Sequence, residues 1–325
     1  MLEVTPTNAR MWSRIGSRAV FGQAILALAK ETDNLMVLSA DLGSSSGLGR
    51  FQKEFPEKYL NVGISEQNMI GVASGLAKDG FTVFATSFAP FISMRASEQI
   101  RMNLGYMKLN VKAVSIGSGV AMGFLGNSHY GIEDASIMRS IPNLTVVGPA
   151  DCAEIVKSVF AAATYDGPIY LRLTGSVNNP TVYKNDYDFE IGKAVTLCDG
   201  SDITIFANGS MVYESLQAAK VLQEDGLSTA VVNMHTIKPL DRVAVDKARV
   251  SAKLIVSTEE HSIIGGLGSA IAEHNAGHQN SPPHLIIGLP DLFSEVGEYR
   301  YLLQQHRLTA DQLVLRIKQK FLSLR

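Results

Sequence analysis

The sequence predicts an α/β protein of two domains, each a mainly parallel sheet flanked by helices. Three observations carry this. Short apolar runs alternate with longer amphipathic ones along the 325 residues, and strand–helix–strand alternation builds parallel sheets covered on both faces. The alternation breaks once, at residues 175–191 (GSVNNPTVYKNDYDFEI), which are polar, aromatic and proline-containing, with no sustained period. Hydrophobic residues make up 46% of the chain, enough to fill two cores.

In the first half, the apolar runs 35–39, 82–85, 111–115, 144–147 and 169–173 are expected strands. Segments 14–30, 67–78, 92–107 and 152–165 carry apolar residues at helical spacing between them. In the second half the expected strands are 203–207, 229–233, 254–257 and 285–287. The expected helices are 211–225, 241–250, 266–274 and 310–321. The division is therefore a first domain at 1–178, a linker at 179–192 and a smaller second domain at 193–325. No solenoid repeat or low-complexity tract interrupts this plan.

Charged residues are only 18% and the net charge is −2. A low charge suits a chain that hides part of its surface against partners. No Lys/Arg cluster points to nucleic acid, and no run of 18 apolar residues points to a membrane. Neither is expected as a partner. Cys152 and Cys198 lack metal-ligand or Cys-x-x-Cys spacing. Read as small buried apolar residues, they suit a reducing cytoplasm. The start, MLEVTPTNARMWSR, holds no apolar stretch of signal-peptide type.

Open parallel sheets bind ligands beyond the carboxyl ends of their strands. Three loops stand out there, all in the first half: 41–49 (DLGSSSGLG), 86–91 (TSFAPF) and 117–131 (GSGVAMGFLGNSHYG). The first can cradle phosphate with backbone N–H groups or be a plain strand-to-helix turn; it fits neither the Walker nor the Gly-x-Gly-x-x-Gly pattern. In NVGISEQNM, Glu66 sits where a polar turn becomes an apolar helix. The helix dipole alone favours a carboxylate there. Phe88 and Phe91 follow a strand three residues apart, a spacing that serves a core or clamps a flat heteroaromatic ring. His129 lies in a glycine-rich loop with little apolar cover, where imidazole can donate a hydrogen bond or shuttle a proton. Arg172 ends the apolar run IYLRL and requires an anion, either a carboxylate or a substrate phosphate. Arg18 is the other notable charge. In the second half, Gly265, Gly266 and Gly268 precede a helix as an anion site or a close-packed turn.

The order SADLGSSS, VGISEQNM, FATSFAPF, a glycine-rich loop ending in His129, PNLTVVGPAD and GPIYLRL resembles the transketolase family over nearly the whole chain. The likeness is to its pyrimidine-binding domain plus C-terminal domain. The same pieces are similar to 1-deoxyxylulose-5-phosphate synthase and to the β subunit of 2-oxo-acid dehydrogenases. The family's diphosphate domain carries Gly-Asp-Gly and a following Asn. No Gly-Asp-Gly occurs here; the Asp-Gly pairs are KDG, YDG, CDG and EDG. The resemblance therefore implies the C-terminal subunit of a split enzyme, whose N-terminal partner holds the diphosphate and Mg²⁺.

It further implies thiamine diphosphate as cofactor, an α2β2 assembly, and transfer of a two-carbon ketol unit from a ketose or ketose phosphate to an aldehyde. Glu66 matches the glutamate on ring nitrogen N1′ of the cofactor. Phe91 and Phe88 match the residues stacked on its aminopyrimidine, and Asp41 an aspartate close to it. His129 matches a histidine that hydrogen-bonds the donor ketose. Arg18, Ser45 and Arg172 match residues that grip the sugar phosphate. Three positions depart from the family. Leu125 stands where an aspartate reads a sugar hydroxyl, Gly117 falls near a second histidine, and Met94 near a tyrosine. Losing a partner for one buried hydroxyl costs about 1–3 kcal/mol, so these departures bear on which sugar is accepted. Two other readings stay open: a 2-oxo-acid dehydrogenase or decarboxylating synthase subunit, and a non-catalytic regulatory paralogue.

Overall fold

Why the chain folds as it does is clearest at its first turn. Thr5 caps the helix Pro6–Ile15, its hydroxyl accepting from the Asn8 amide at 3.2 Å, with proline at the first helical position. Gly16 then takes a left-handed φ of 82°. A side chain there would meet the Ser176 carbonyl oxygen at 2.6 Å. The helix expected at 14–30 therefore divides, and a second helix runs Ser17–Ala29.

The computed structural model describes residues 2–324. Its strands are β1 (Leu35–Ser39), β2 (Tyr59–Asn61), β3 (Thr82–Phe88), β4 (Val111–Ile116), β5 (Thr145–Val147), β6 (Ile169–Arg172), β7 (Val195–Cys198), β8 (Ile203–Ala207), β9 (Thr229–Asn233), β10 (Thr236–Lys238), β11 (Leu254–Ser262) and β12 (His284–Leu289). They form a seven-stranded sheet, β10-β5-β6-β4-β3-β1-β2, and a five-stranded sheet, β12-β11-β8-β9-β7. Every pairing is parallel except β10 with β5 and β7 with β9. Central strands β3 and β4 are buried along their whole length, as parallel strands covered on both faces must be. One side of the first sheet packs on the helices Ser17–Ala29 and Cys152–Thr164 through Phe21, Ile25, Val156 and Val159. The other packs on the helix Glu66–Lys78 through Met69, Ile70 and Ala73.

Other findings also differ from the sequence expectation. The single helix expected at 92–107 is π-helical at Phe91–Arg95 and again at Ile100–Tyr106, around a short α turn. Such widened turns re-aim side chains and recur at functional sites. Another is β10, which lies in the second half of the sequence but adds to the first sheet, Thr236 opposite Val147 and Lys238 opposite Val146.

Buried polar groups fasten the halves together. Glu154, fully buried in the first half, accepts from the second half's Asn233 side chain at 2.9 and 3.0 Å and from the connector's Tyr187 hydroxyl at 2.5 Å. Burial pushes the Glu154 carboxyl up, opposed by these donors. Tyr183 and Tyr187 stack at 4.0 Å, so the irregular connector is pinned along its aromatic face. The second fastening corrects an expectation. Arg172 was expected to grip a substrate phosphate, but it is 1% exposed and its Nε donates to both oxygens of buried Asp134, at 2.9 and 3.0 Å. Its terminal nitrogen donates to the carbonyls of Gly131 at 3.0 Å and Glu260 at 2.8 Å. A charge so far from water takes an internal carboxylate, and this one leaves no face for a ligand.

Arg172→Met should leave Asp134 buried without its cation. The expected loss is about 3–5 kcal/mol in urea denaturation; a loss under about 1 kcal/mol would contradict the role assigned to the pair. A second test uses His235, buried beside β10. Burial pushes its imidazole down to about 4, from 6.5 when solvated. The folded state therefore binds that proton less readily than the unfolded chain. The contribution is full above the unfolded value and is lost as pH falls towards about 4. Stability measured over that range should fall less steeply in His235→Asn than in the wild type.

Candidate active site

The carboxyl ends of β1, β3 and β4 feed the loops that build the site. The helix Glu66–Lys78 begins on Glu66 itself, which is 1% exposed. It stands in the helix's first turn, and its carboxylate is held by two side-chain donors. Ser87, on β3, donates to Oε1 at 3.2 Å. Arg95, at the end of the first π-helical stretch, donates to Oε2 at 2.7 Å. The two donors hold both oxygens, so the carboxylate has one orientation.

Phe88 ends β3 and Phe91 begins the widened turn. Their rings meet edge-on at 5.9 Å. His129 completes a three-ring cluster, 5.5 Å from Phe88 and 5.2 Å from Phe91, again edge-on. The His129 Nδ1 pairs with the Ser128 hydroxyl at 2.9 Å. The Arg95 guanidinium lies over the Phe91 ring at 4.3 Å. A flat cation bearing N–H groups thus occupies the space between the carboxylate of Glu66 and the face of Phe91. That is the donor pattern and shape of a protonated aminopyrimidine, and the cluster fits such a ring.

A second cleft, of about 210 Å³, lies between the helix Ser17–Ala29 and the loop after β1. It forms because two backbones touch: a Cβ on Gly22 would fall 2.0 Å from the Gly47 carbonyl oxygen. This close approach sets Arg18 beside Ser45, whose carbonyl it reaches at 3.3 Å. Both line the cleft with Ser44 and Ser176. Asp41, at the start of this loop, has a left-handed φ of 56°. It is held by Asn61, with the side-chain amide on Oδ1 and the Asp41 amide on Asn61 Oδ1, both at 3.0 Å. Asp41 is exposed. Leu125, also exposed, lines a larger cleft of about 730 Å³ between the halves, with Met122, Phe124, Val177 and Tyr299.

The structure thus brings Glu66, Phe88, Phe91 and His129 into one cluster and pairs Arg18 with Ser45 nearby in the fold, while Arg172 stands apart. Sequence reasoning missed Arg95, Ser87 and Asn61. Nothing in the sequence marked Arg95, which shares its helical run with Glu98 and Arg101. In the second half, Leu267 and Gly268 amides donate to Glu259 at 2.7 and 2.8 Å, so the glycine-rich turn there already holds an internal carboxylate. Cys152 is buried and Cys198 half-buried, and both are free thiols. Among the described residues, no helix is long and apolar enough to cross a membrane.

The chain is similar to known proteins in sequence and fold. The family model for the transketolase pyrimidine binding domain matches residues 13–178, and that for the transketolase C-terminal domain matches 192–313. A protein of Methanocaldococcus jannaschii named as a transketolase C-terminal section is 42% identical over 94% of this chain and 96% of its own. A 6-deoxy-6-sulfo-D-fructose transketolase subunit of Clostridium is 40% identical, covering 91% and 92%. A 1-deoxy-D-xylulose-5-phosphate synthase of Synechococcus elongatus is 36% identical over 93% of this chain but only 48% of its own length. A solved structure described as a split gene transketolase, inactive beta4 tetramer, superposes with a TM-score of 0.86 at 41% identity, over 95% of this chain and 99% of that one. The chain belongs to the transketolase family, as the C-terminal section of a split transketolase.

Proposed function

We propose that this chain supplies the pyrimidine half of a thiamine-diphosphate site and that a separate N-terminal subunit supplies the diphosphate and Mg²⁺ half. The reaction is transfer of a two-carbon ketol unit from a ketose, phosphorylated or not, to an aldehyde. The observation that carries this reading is the buried Glu66 carboxylate, held by Ser87 and covered with Phe91 by a planar cation. The likeness to proteins named as a transketolase C-terminal section and a transketolase subunit, covered over 96% and 92% of their own lengths, supports a partner subunit. Two copies of each chain make the expected assembly, since the family builds sites at subunit contacts. The unpaired thiols of Cys152 and Cys198 suit the cytoplasm.

Bound thiamine diphosphate would supply the electron sink that lets a bond next to the ketose carbonyl break. This chain's residues do the rest. Glu66 shares a proton through Oε2 with the pyrimidine nitrogen N1′, once Arg95 gives up that oxygen. Ser87 keeps Oε1 engaged, so the shared proton stays on line. Phe91, steadied by Phe88, offers its ring face to the pyrimidine, and the rings exclude water. His129 holds Nδ1 on Ser128 and turns Nε2 to the donor's oxygen. Arg18 and Ser45 take the phosphate end of a phosphorylated substrate, and Asp41 lines the cofactor's rim.

The test mixes this chain with a partner containing Gly-Asp-Gly, Mg²⁺ and thiamine diphosphate. Ketol transfer is expected. CO₂ release from pyruvate in its place would overturn the transketolase reading. Glu66→Gln should lower kcat about 10²–10⁴-fold, the usual range for a positioned proton-transfer group, while calorimetry still detects cofactor binding. Arg18→Ala should raise KM for a phosphorylated donor about 10- to 100-fold with kcat little changed, since a hydrogen bond to a charged group contributes ~1.5–3 kcal/mol. Arg95→Ala removes a competitor for the same space, so the cofactor should bind several-fold more tightly in calorimetry. An unchanged or weaker affinity would show that Arg95 does not stand in its way.

A further inference from the structure

Two helices of the second half meet at a cluster the active site does not use. Asp246 lies on the helix Arg242–Ser251. His274 lies near the end of the helix Leu267–Ala276, and His278 follows one turn later, just past that end. Both histidines bring Nε2 to the same carboxylate oxygen. Asp246 Oδ1 is 3.0 Å from His274 Nε2 and 3.7 Å from His278 Nε2. The three donor atoms all lie within 4.8 Å of one another.

These separations have a chemical meaning. Four ligands arranged tetrahedrally about zinc at bond lengths of about 2.0–2.2 Å stand roughly 3.4 Å from one another. The two measured N···O distances bracket that spacing. Two imidazoles and one carboxylate are a donor set for zinc and its late first-row neighbours; Mg²⁺ asks for six oxygens. The surroundings also suit an ion. His274 is 12% exposed and meets the His278 ring edge-on at 5.0 Å, whereas His278 and Asp246 are about two-fifths exposed, at 37% and 41%. A fourth position is therefore open to water. One group competes: Arg249 Nε lies 3.3 Å from the same Asp246 oxygen. The carboxylate's other oxygen can take that contact when the first turns to a metal.

We propose that Asp246, His274 and His278 bind one late first-row divalent cation of the zinc type, which clips the two helices together. The site does not depend on the reading of Glu66 and its cluster, and its test needs neither partner nor cofactor.

The probe is Zn²⁺ titrated calorimetrically into the purified full chain in excess Mg²⁺. One saturable equivalent per chain is expected, together with a rise in Tm. His278→Ala, at a half-exposed position, should keep the far-UV spectrum of the wild type, bind Zn²⁺ at least about tenfold more weakly and lose the rise in Tm. Arg249→Gln should bind as well as the wild type or better. Cys198→Ser, which removes the half-buried thiol of the same half, should bind normally. The proposal is overturned if the wild type takes up no Zn²⁺, if His278→Ala and Asp246→Asn both keep wild-type affinity, or if Cys198→Ser alone abolishes binding.

Discussion

The ion pair of Arg172 and Asp134 sets the geometry on which the site depends. Neither side chain meets water, so each must be satisfied internally, and the partners available lie in three different parts of the chain. The guanidinium ties the end of β6 to the helix Asp134–Ser140, to the Gly131 carbonyl that closes the His129 loop, and to the Glu260 carbonyl on β11. Glu260 in turn accepts from the Val120 amide at 2.8 Å, at the other end of the same loop. Within the loop, Val120 and Tyr130 are buried in the second half's core and the Tyr130 hydroxyl donates to the Gly123 carbonyl at 2.6 Å. The loop is held at both ends by groups that cannot let go without stranding a buried charge.

That rigidity matters because the aromatic cluster is assembled from unlike sources. Phe88 comes from a strand end, Phe91 from a widened helical turn and His129 from the loop. Phe88 is a buried core residue, 7% exposed, and Phe91 packs against that core while it and His129 stay half-buried. Arg95 is bonded to the Glu66 carboxylate and laid on the Phe91 ring. Cation–π contact and a charge-assisted hydrogen bond are each worth little at a half-exposed side chain, so a ligand that offers both a flat face and a proton can exchange with it.

Much of this was legible in the sequence, for identifiable reasons. Strands β1, β8 and β9 fall on the expected residues, because short apolar runs bounded by turn residues are buried on both faces. Strands β2, β7 and β10 were not foreseen. They have only three or four residues of mixed polarity (YLN, VTLC and TIK), too few to show any period. Glu66 and the phenylalanine pair could be singled out from their place after a turn or strand. Arg95 could not, because what matters is which carboxylate its long side chain reaches. Arg172 shows the same limit from the other side. Its need for an anion was readable, but the anion lay 38 residues earlier in the chain, where only the folded structure brings it near.

The short strand β10 has an evolutionary consequence. It shields the outer edge of β5, and the sequence Lys238–Pro239 that follows discourages any further strand from adding beyond it. A fragment ending at the connector would keep six strands and bare β5, a template on which other chains could dock and aggregate. The two halves therefore share one sheet. Recombination that exchanged the second half for another would succeed only where the newcomer brought its own three-residue cover for that edge.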